Sequence, residues 1–581
     1  MRTLRAELEA RIASALAAAG APDAPPVVQP AARPEFGDYQ ANGVMGAAKR
    51  LKQNPRELAE RVLAAADLDD LVERAEIAGP GFINLTLSSE ALAARLATLG
   101  ADVLSPRQPA EGSTPIVVDY SAPNLAKEMH IGHIRTTAIG DAVARILEHR
   151  GQPVVRQNHV GDWGTQFGML LAFMDELEND GDPDSLDHEL GDLETFYRHA
   201  KARFDDDEAF ARRARETVVA LQSGDPRCRA RWRQFIDVSL SHCQAIYDRL
   251  GISLTPADVA PESMYNDDLA NVVADLDAAG LLTESDGAQC VFLDEFKGKD
   301  DAPLPLIVQK SDGGYLYATT DLAAVRHRNR TLGSRRALYF VDKRQTLHFR
   351  QVFAVARKAG FAPDEMQLEH MPFGTILGDD GKPFKTRSGD AVKLADVIDE
   401  AEERAFALVS EKNPDLDEAQ RREIARVVGI GAVKYADLSK NRASDYVFSW
   451  DTMLSFDGNT APYLQYGFSR IRSLFRRAEA AGVTLPLTAK PSIREAAERS
   501  LALTLVRLPE TFDAVIETGQ PHLLCSHLYD LTVGFMAFYE QCPVLSAEPE
   551  VRDARLALAG LVGDALSKGL ELLGIETLER M

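Results

Sequence analysis

The stretch from Pro115 to Gly151 constrains this chain more than any other. Residues 115–120 form an apolar run containing Ile116, Val117 and Val118, the pattern of a strand buried on both faces. A polar loop with Pro123 and Asn124 follows. His130-Ile131-Gly132-His133 then opens a segment in which Ile134, Ala138, Ile139, Ala142, Ile146 and Leu147 recur at helical spacing as far as Gly151, a natural stop. A strand, a tight loop and a helix N-terminus bring free backbone N–H groups and the positive end of the helix dipole to one point, which suits an anionic phosphate. The two histidines stand where they add donors, and Gly132 allows a close approach. A tetrapeptide of this kind also arises as a plain turn with two surface histidines, so its weight depends on the rest of the chain.

At 581 residues the chain is too long for a single core, and several domains are expected. Its five cysteines, Cys228, Cys243, Cys290, Cys525 and Cys542, are scattered with no C-x-x-C pair, which argues against a disulfide framework or a cysteine-based zinc site and fits a reducing cytosol. The N-terminal segment has Leu4, Leu8, Ile12 and Leu16 at helical spacing with Glu7 and Glu9 among its arginines, unlike a signal or transit peptide. No stretch has the length of a membrane span, so a cytoplasmic protein is expected. The formal net charge of −23 disfavours nonspecific affinity for nucleic acid, although a local basic face remains compatible with it.

Composition divides the chain into three parts. Residues 1–108 read as an α+β unit: a helix over 2–19, a Pro/Ala-rich loop, the run Glu35-Phe36-Gly37-Asp38-Tyr39-Gln40, a helical stretch over 42–66, and Gly79-Pro80-Gly81-Phe82-Ile83-Asn84-Leu85 turning into a strand. After a Pro/Ser-rich linker, residues 109–394 alternate strands and helices, which implies a parallel sheet with its ligand at the C-terminal strand ends. Strands are expected at 115–120, 153–157, 306–308 and 337–341. The loops after them carry Asn124 and Lys127, then His159-Val160-Gly161-Asp162-Trp163-Gly164-Thr165-Gln166, then Tyr317 and Asp321, then Asp342 to His348. The second half of this nucleotide fold is placed from about 304, and an acidic, polar insertion occupies about 174–303. Residues 395–581 read as an all-helical bundle with helices over 395–412, 417–436, 460–482, 491–518, 521–542 and 550–574.

The tetrapeptide His130-Ile131-Gly132-His133 resembles the HIGH signature of class I aminoacyl-tRNA synthetases. With Gly161-Asp162-Trp163-Gly164-Thr165-Gln166-Phe167-Gly168, Tyr317-x-x-x-Asp321 and Gln345-x-Leu347-His348, the resemblance narrows to arginyl-tRNA synthetases of the bacterial type and extends over essentially the whole chain. It implies a Rossmann-like catalytic unit, an N-terminal domain touching the tRNA elbow and a C-terminal anticodon-binding bundle. It also implies an enzyme that joins L-arginine to ATP as arginyl-adenylate and passes arginine to tRNA-Arg. Substrate ATP with Mg2+, no protein-held structural metal and a monomer are expected.

By the same resemblance, Lys127, His130, Gly132, His133, Lys385 and Arg387 serve catalysis, with Lys127, His130, His133, Lys382 and Lys385 on ATP. The second class signature is degenerate here: Phe384-Lys385-Thr386-Arg387-Ser388 stands where K-M-S-K-S is usual, and whether Lys382 or Lys385 acts is left open. Lys127 is expected to compensate. The arginine pocket maps onto Asp119, Asn124, His159, Tyr317, Asp321 and Gln345, with Asp321 as guanidinium partner. Tyr39 and Asn84 in the N-terminal unit, and Tyr463, Tyr466 and Arg470 in the bundle, are candidates for tRNA contact, core packing being the alternative for the tyrosines. Another HIGH-type nucleotidyltransferase, a synthetase of different specificity and a non-catalytic tRNA-binding paralogue remain open as rivals.

Overall fold

The computed structural model describes residues 2–179, 190–298, 301–385, 392–484 and 490–581. Its centre is a four-stranded parallel sheet in the order Gln367–His370, Arg336–Tyr339, Ile116–Asp119, Val154–Gln157. Alternate residues feed two cores, as a sheet covered on both faces requires. Val117, Ala337 and Tyr339 pack with the helices Tyr317–Arg330 and Thr346–Lys358, whereas Ile116, Val118, Leu338 and Phe340 join the core that contains the helix His133–His149. The register places His370, Tyr339, Asp119 and Gln157 in one row across the C-terminal edge. Every loop of the site leaves from that row.

The helix His133–His149 spans the residues its periodicity predicts. It lies close against the first strand's exit because Gly140 faces Tyr120, where an added Cβ would stand 2.3 Å from the Tyr120 Cβ. Arg135 on the same helix is fully buried. It bonds Asp437 at 3.1 Å and the Ser444 carbonyl at 2.9 Å, fastening the bundle segment 437–446 to the signature helix.

Several expectations are corrected. The strand Leu306–Gln309 is not in the parallel sheet; it closes an antiparallel three-stranded sheet with Leu282–Ser285 and Ala288–Val291. Its Leu-Ile-Val run mimics a buried strand, but Ile307 points outward, 40% exposed. The stretch 42–66 is two helices, Gly43–Leu51 and Pro55–Ala65, separated where Lys52 takes a left-handed φ of 54° and the Asn54 side chain caps the next helix at Pro55. The stretch 491–518 likewise divides into Ala496–Val506 and Leu508–Thr518. Strands do not vanish after 395: Tyr446–Val447 pairs in parallel with Ile376–Leu377. The acidic insertion is helical over Thr165–Asn179, Leu193–Asp206 and Glu208–Ser223, and its Asp180, Asp182 and Asp184 lie outside the described residues.

The N-terminal unit has an antiparallel sheet, Val28–Pro30, Tyr39–Ala41, Phe82–Leu87, Val72–Ala78 in spatial order. It docks on the bundle through Asp38, whose two oxygens accept from Arg499 at 3.0 and 2.8 Å. Among the described residues no helix is long and apolar enough to cross a membrane.

Candidate active site

The first strand ends at Asp119, and the chain then turns through Ser121 and Ala122 to Asn124. Asn124 is held against the neighbouring loop: Leu125 N–H donates to the Gly161 carbonyl and Gly161 N–H to the Pro123 carbonyl, both at 3.0 Å. Its side-chain oxygen accepts from Gln166 at 3.0 Å and from the Ala126 N–H at 3.0 Å. The two strand-end loops therefore present Asn124 jointly.

The signature histidines are fixed by their own backbone. His133 Nδ1 accepts from the His130 N–H, and His130 Nδ1 accepts from the Gly132 N–H, each at 3.0 Å. A backbone N–H only donates, so the His130 ring carries its proton on Nε2 and offers it outward, whereas His133 Nδ1 also meets the His130 carbonyl oxygen at 3.3 Å. The ring centroids lie 4.0 Å apart, and a Cβ on Gly132 would sit 2.8 Å from His130 Cε1, so glycine there leaves room for the His130 ring. Burial pushes the His133 imidazole down to about 3. Burial, then the charges of Lys127 and Arg344, lower His130 as well. Both are neutral donors at physiological pH, and the positive potential comes from Lys127 and Arg344 beside them. Arg344 carries no signal in the sequence beyond its charge.

Downstream of the second signature the chain returns to the first. Ile131 N–H donates to Val392 at 2.9 Å, Leu394 N–H to Met129 at 2.9 Å, and Lys393 Nζ bridges Glu128 at 3.2 Å and Asp192 at 2.9 Å. Before it, Gly378 N–H donates to the Lys382 carbonyl at 2.8 Å and Phe384 N–H to Ile376 at 3.0 Å, a tight hairpin with Gly381 at a φ of 71°. Phe384 packs on Phe448 with ring centroids 4.7 Å apart. Lys382 and Lys385 are exposed on this hairpin; Arg387 lies outside the described residues. Lys127 is exposed, its Nζ 4.2 Å above the Tyr197 ring.

Beside these groups is an acidic cluster. Asp321, one turn into the helix Tyr317–Arg330, is not the cap residue of that helix. Its carboxylate pairs with His348 Nε2 at 2.5 Å and stands 3.9 Å from His159 Nε2, while His159 Nδ1 lies 3.0 Å from the Ala260 carbonyl. Glu262 faces it. Burial, then the charges of Asp321 and Asp162, push the Glu262 carboxyl up to about 8. No lysine or arginine among the described residues pairs with Glu262. The Tyr317 phenol is raised by burial and by Glu262, which places its hydroxyl within the same field although the residue is 62% exposed. Glu262 arrives because its N–H donates to the Val160 carbonyl at 3.0 Å and Asn158 bridges Val259. Nothing in the run Pro261-Glu262-Ser263 marks it in the sequence.

The other candidates are placed as follows. Asp119 is buried and its Oδ2 is taken by Arg328 at 2.6 Å. The same guanidinium donates to Gln157 at 2.6 Å and lies 4.6 Å from the Tyr339 ring centroid. Asp119 thus meets an internal arginine through Oδ2. Gln345 is exposed at the start of the helix Thr346–Lys358. Tyr39 and Asn84, expected to reach RNA, are buried: Tyr39 donates to Glu510 at 2.7 Å beneath Arg507, and Asn84 accepts from Gln40 at 2.7 Å. In the bundle, Tyr463 packs against Tyr529, Tyr466 is 39% exposed, and Arg470 donates to its hydroxyl at 3.1 Å.

The catalytic-domain model of class I tRNA synthetases (R) matches residues 98–450, the arginyl-tRNA synthetase N-terminal domain matches 6–87 and the DALR anticodon-binding domain matches 464–581. The chain is 58% identical to an arginine–tRNA ligase of Hahella chejuensis over 99% of both chains, and 57% identical to one from Chromobacterium violaceum over 100% of both. Among solved structures it resembles the arginyl-tRNA synthetases of Plasmodium falciparum (28% identity, TM-score 0.85) and Thermus thermophilus (26%, 0.82), each over 100% of both chains.

Proposed function

The chain belongs to the class I arginyl-tRNA synthetases, and we propose how its own residues activate L-arginine with ATP and charge tRNA-Arg. The observation that carries the reading is the Asp321 carboxylate, paired with His348 at 2.5 Å and 3.9 Å from His159, with the Glu262 carboxyl within its electrostatic reach. Two carboxylates in a poorly solvated site repel each other, and a guanidinium relieves that repulsion while supplying a planar fork of donors. His159 and His348 hold Asp321, Asn124 and Asp119 serve the α-amino end, and Gln345 borders the entrance.

In the first step a carboxylate oxygen of arginine attacks the α-phosphorus of ATP. The bond to the bridging oxygen breaks, and pyrophosphate leaves with that electron pair. Both reactants are anions, so the site acts by holding them together and supplying fixed positive potential, with no protein nucleophile. His130 donates from Nε2 to the nucleotide, with His133 beside it. Lys127 and Arg344 supply charge there, and Lys382 or Lys385, with Arg387, closes over the pyrophosphate from the second signature. Mg2+ accompanies the nucleotide as part of the substrate. In the second step a ribose hydroxyl of the terminal adenosine of tRNA attacks the arginyl carbonyl, and AMP departs.

Tyr466 with Arg470 offers an exposed ring beside a cation for the tRNA. The buried places of Tyr39 and Asn84 leave the N-terminal unit's RNA contact to other side chains. A monomer acting in the cytoplasm completes the reading. ATP–pyrophosphate exchange with each amino acid, with and without tRNA, tests it: exchange with arginine alone, and only in the presence of tRNA-Arg, is expected. Exchange driven by another amino acid would remove the specificity.

A further inference from the structure

We infer that Tyr247 is a positioning residue of the arginine site: with Asn158, its hydroxyl holds Ser121 and Ala122 in a left-handed conformation that presents Asn124 and Lys127. The inference rests on the reading of those two residues given above. Ser121 and Ala122 have φ values of 71° and 47°. A Cβ makes that region costly, and two such residues in succession persist only where neighbouring groups fix them.

Here the fixing groups are visible. Ser121 N–H donates to Thr136 Oγ1 at 3.0 Å, and Ala122 N–H donates to Asn158 Oδ1 at 2.9 Å. Thr137 donates to Ser121 Oγ at 2.9 Å, and Ser121 Oγ shares a 2.7 Å hydrogen bond with the Tyr247 hydroxyl. Asn158 Nδ2 donates to that same hydroxyl at 3.1 Å, so one phenolic oxygen orients both the serine and the amide that grips the next residue.

Tyr247 is buried and comes from the helix Pro226–Leu250. The helix end is itself pinned. The Leu250 carbonyl accepts from the buried Lys434 at 2.7 Å, and the Gly251 carbonyl accepts from Arg145 at 2.8 Å. The hydroxyl is therefore a fixed point against which a strained turn is set. A tyrosine needed only to fill space would be replaced by phenylalanine without consequence for ligand binding.

The test compares arginine binding, measured by calorimetry on the full chain without tRNA, for the unaltered protein, Tyr247→Phe, and Tyr247→Phe with Ala122→Gly. Loss of the buried hydroxyl is expected to raise Kd on the order of tenfold. Glycine takes a left-handed φ without penalty, so Ala122→Gly in the same background is expected to recover most of that loss. An unchanged Kd in Tyr247→Phe overturns the inference while leaving the site reading intact, as does a loss that Ala122→Gly fails to repair. Absence of arginine binding by the unaltered protein would overturn the site reading and this inference together. Should Tyr247→Phe not fold, Thr137→Val, which removes the other donor to Ser121 Oγ, is read against the same outcomes.

Discussion

Arginine affinity should depend on pH through Glu262. Its carboxyl is raised to about 8, chiefly by burial and then by Asp321 and Asp162, so at pH 7 the free site holds it protonated. A guanidinium binds the anion, and the proton must leave. The sign follows: affinity rises with pH up to about 8 and is level above it. One pH unit below the pKa, deprotonation costs about 1.4 kcal/mol, a tenfold weakening at pH 7 relative to the plateau. The lowered values of His130 and His133 keep both imidazoles out of this window. Calorimetry at pH 7 in buffers of different ionisation enthalpy should therefore register release of about 0.9 proton per arginine bound. Glu262→Gln should abolish both the slope and the proton release. At pH 8.5 it should weaken binding by roughly 1.5–3 kcal/mol, the worth of a charge-assisted hydrogen bond. A Kd independent of pH between 6.5 and 8.5 in the unaltered protein, with no proton released, would refute the reasoning.

Other consequences are separable. Asp321→Asn should raise the KM for arginine at least about tenfold, because the guanidinium loses a charged partner; unchanged kinetics would remove Asp321 from the pocket. Asp119→Ala strands the buried Arg328 charge and should destabilise the protein by about 3–5 kcal/mol, read by denaturant unfolding, whereas Asp119→Asn with Arg328→Met should recover part of the loss. Gly140→Ala places a methyl group against Tyr120 and should cost about 1–3 kcal/mol; an unaltered unfolding midpoint would contradict the close approach described. Lys127→Ala should slow adenylate formation with little effect on arginine Kd, and intact activation would end its role as the compensating cation.

Much of this site was legible because its chemistry is local. Strand, loop and helix of the first signature are contiguous, so period and turn residues sufficed to place His130 and His133. The helix boundaries at 52–54 and 507–508 were read through, although Pro55 and Pro509 stand in the first turns of the following helices, where proline is at home. What the sequence withheld is long-range. Glu262 and Tyr247 reach the loop from turns and helices about a hundred residues away in the chain, and no spacing rule links them to it. The partner of Asp119, Arg328, lies 209 residues further along the chain, and no spacing rule announces the pair. Tyr39 looked like an RNA contact because the bundle helix carrying Glu510 becomes its neighbour only in the fold.

Competition between arginine and citrulline tests the guanidinium pocket most directly. Citrulline matches arginine in shape but carries no charge, so it forms no ion pair with Asp321 and cannot draw the proton from Glu262. With both present at equal concentration, the amino acids esterified to tRNA-Arg are identified by mass spectrometry. Arginine should be charged in preference by roughly 10⁴ or more, the discrimination available to a site built on buried polar partners. Citrulline charged within about a hundredfold of arginine, below that range, would contradict the account.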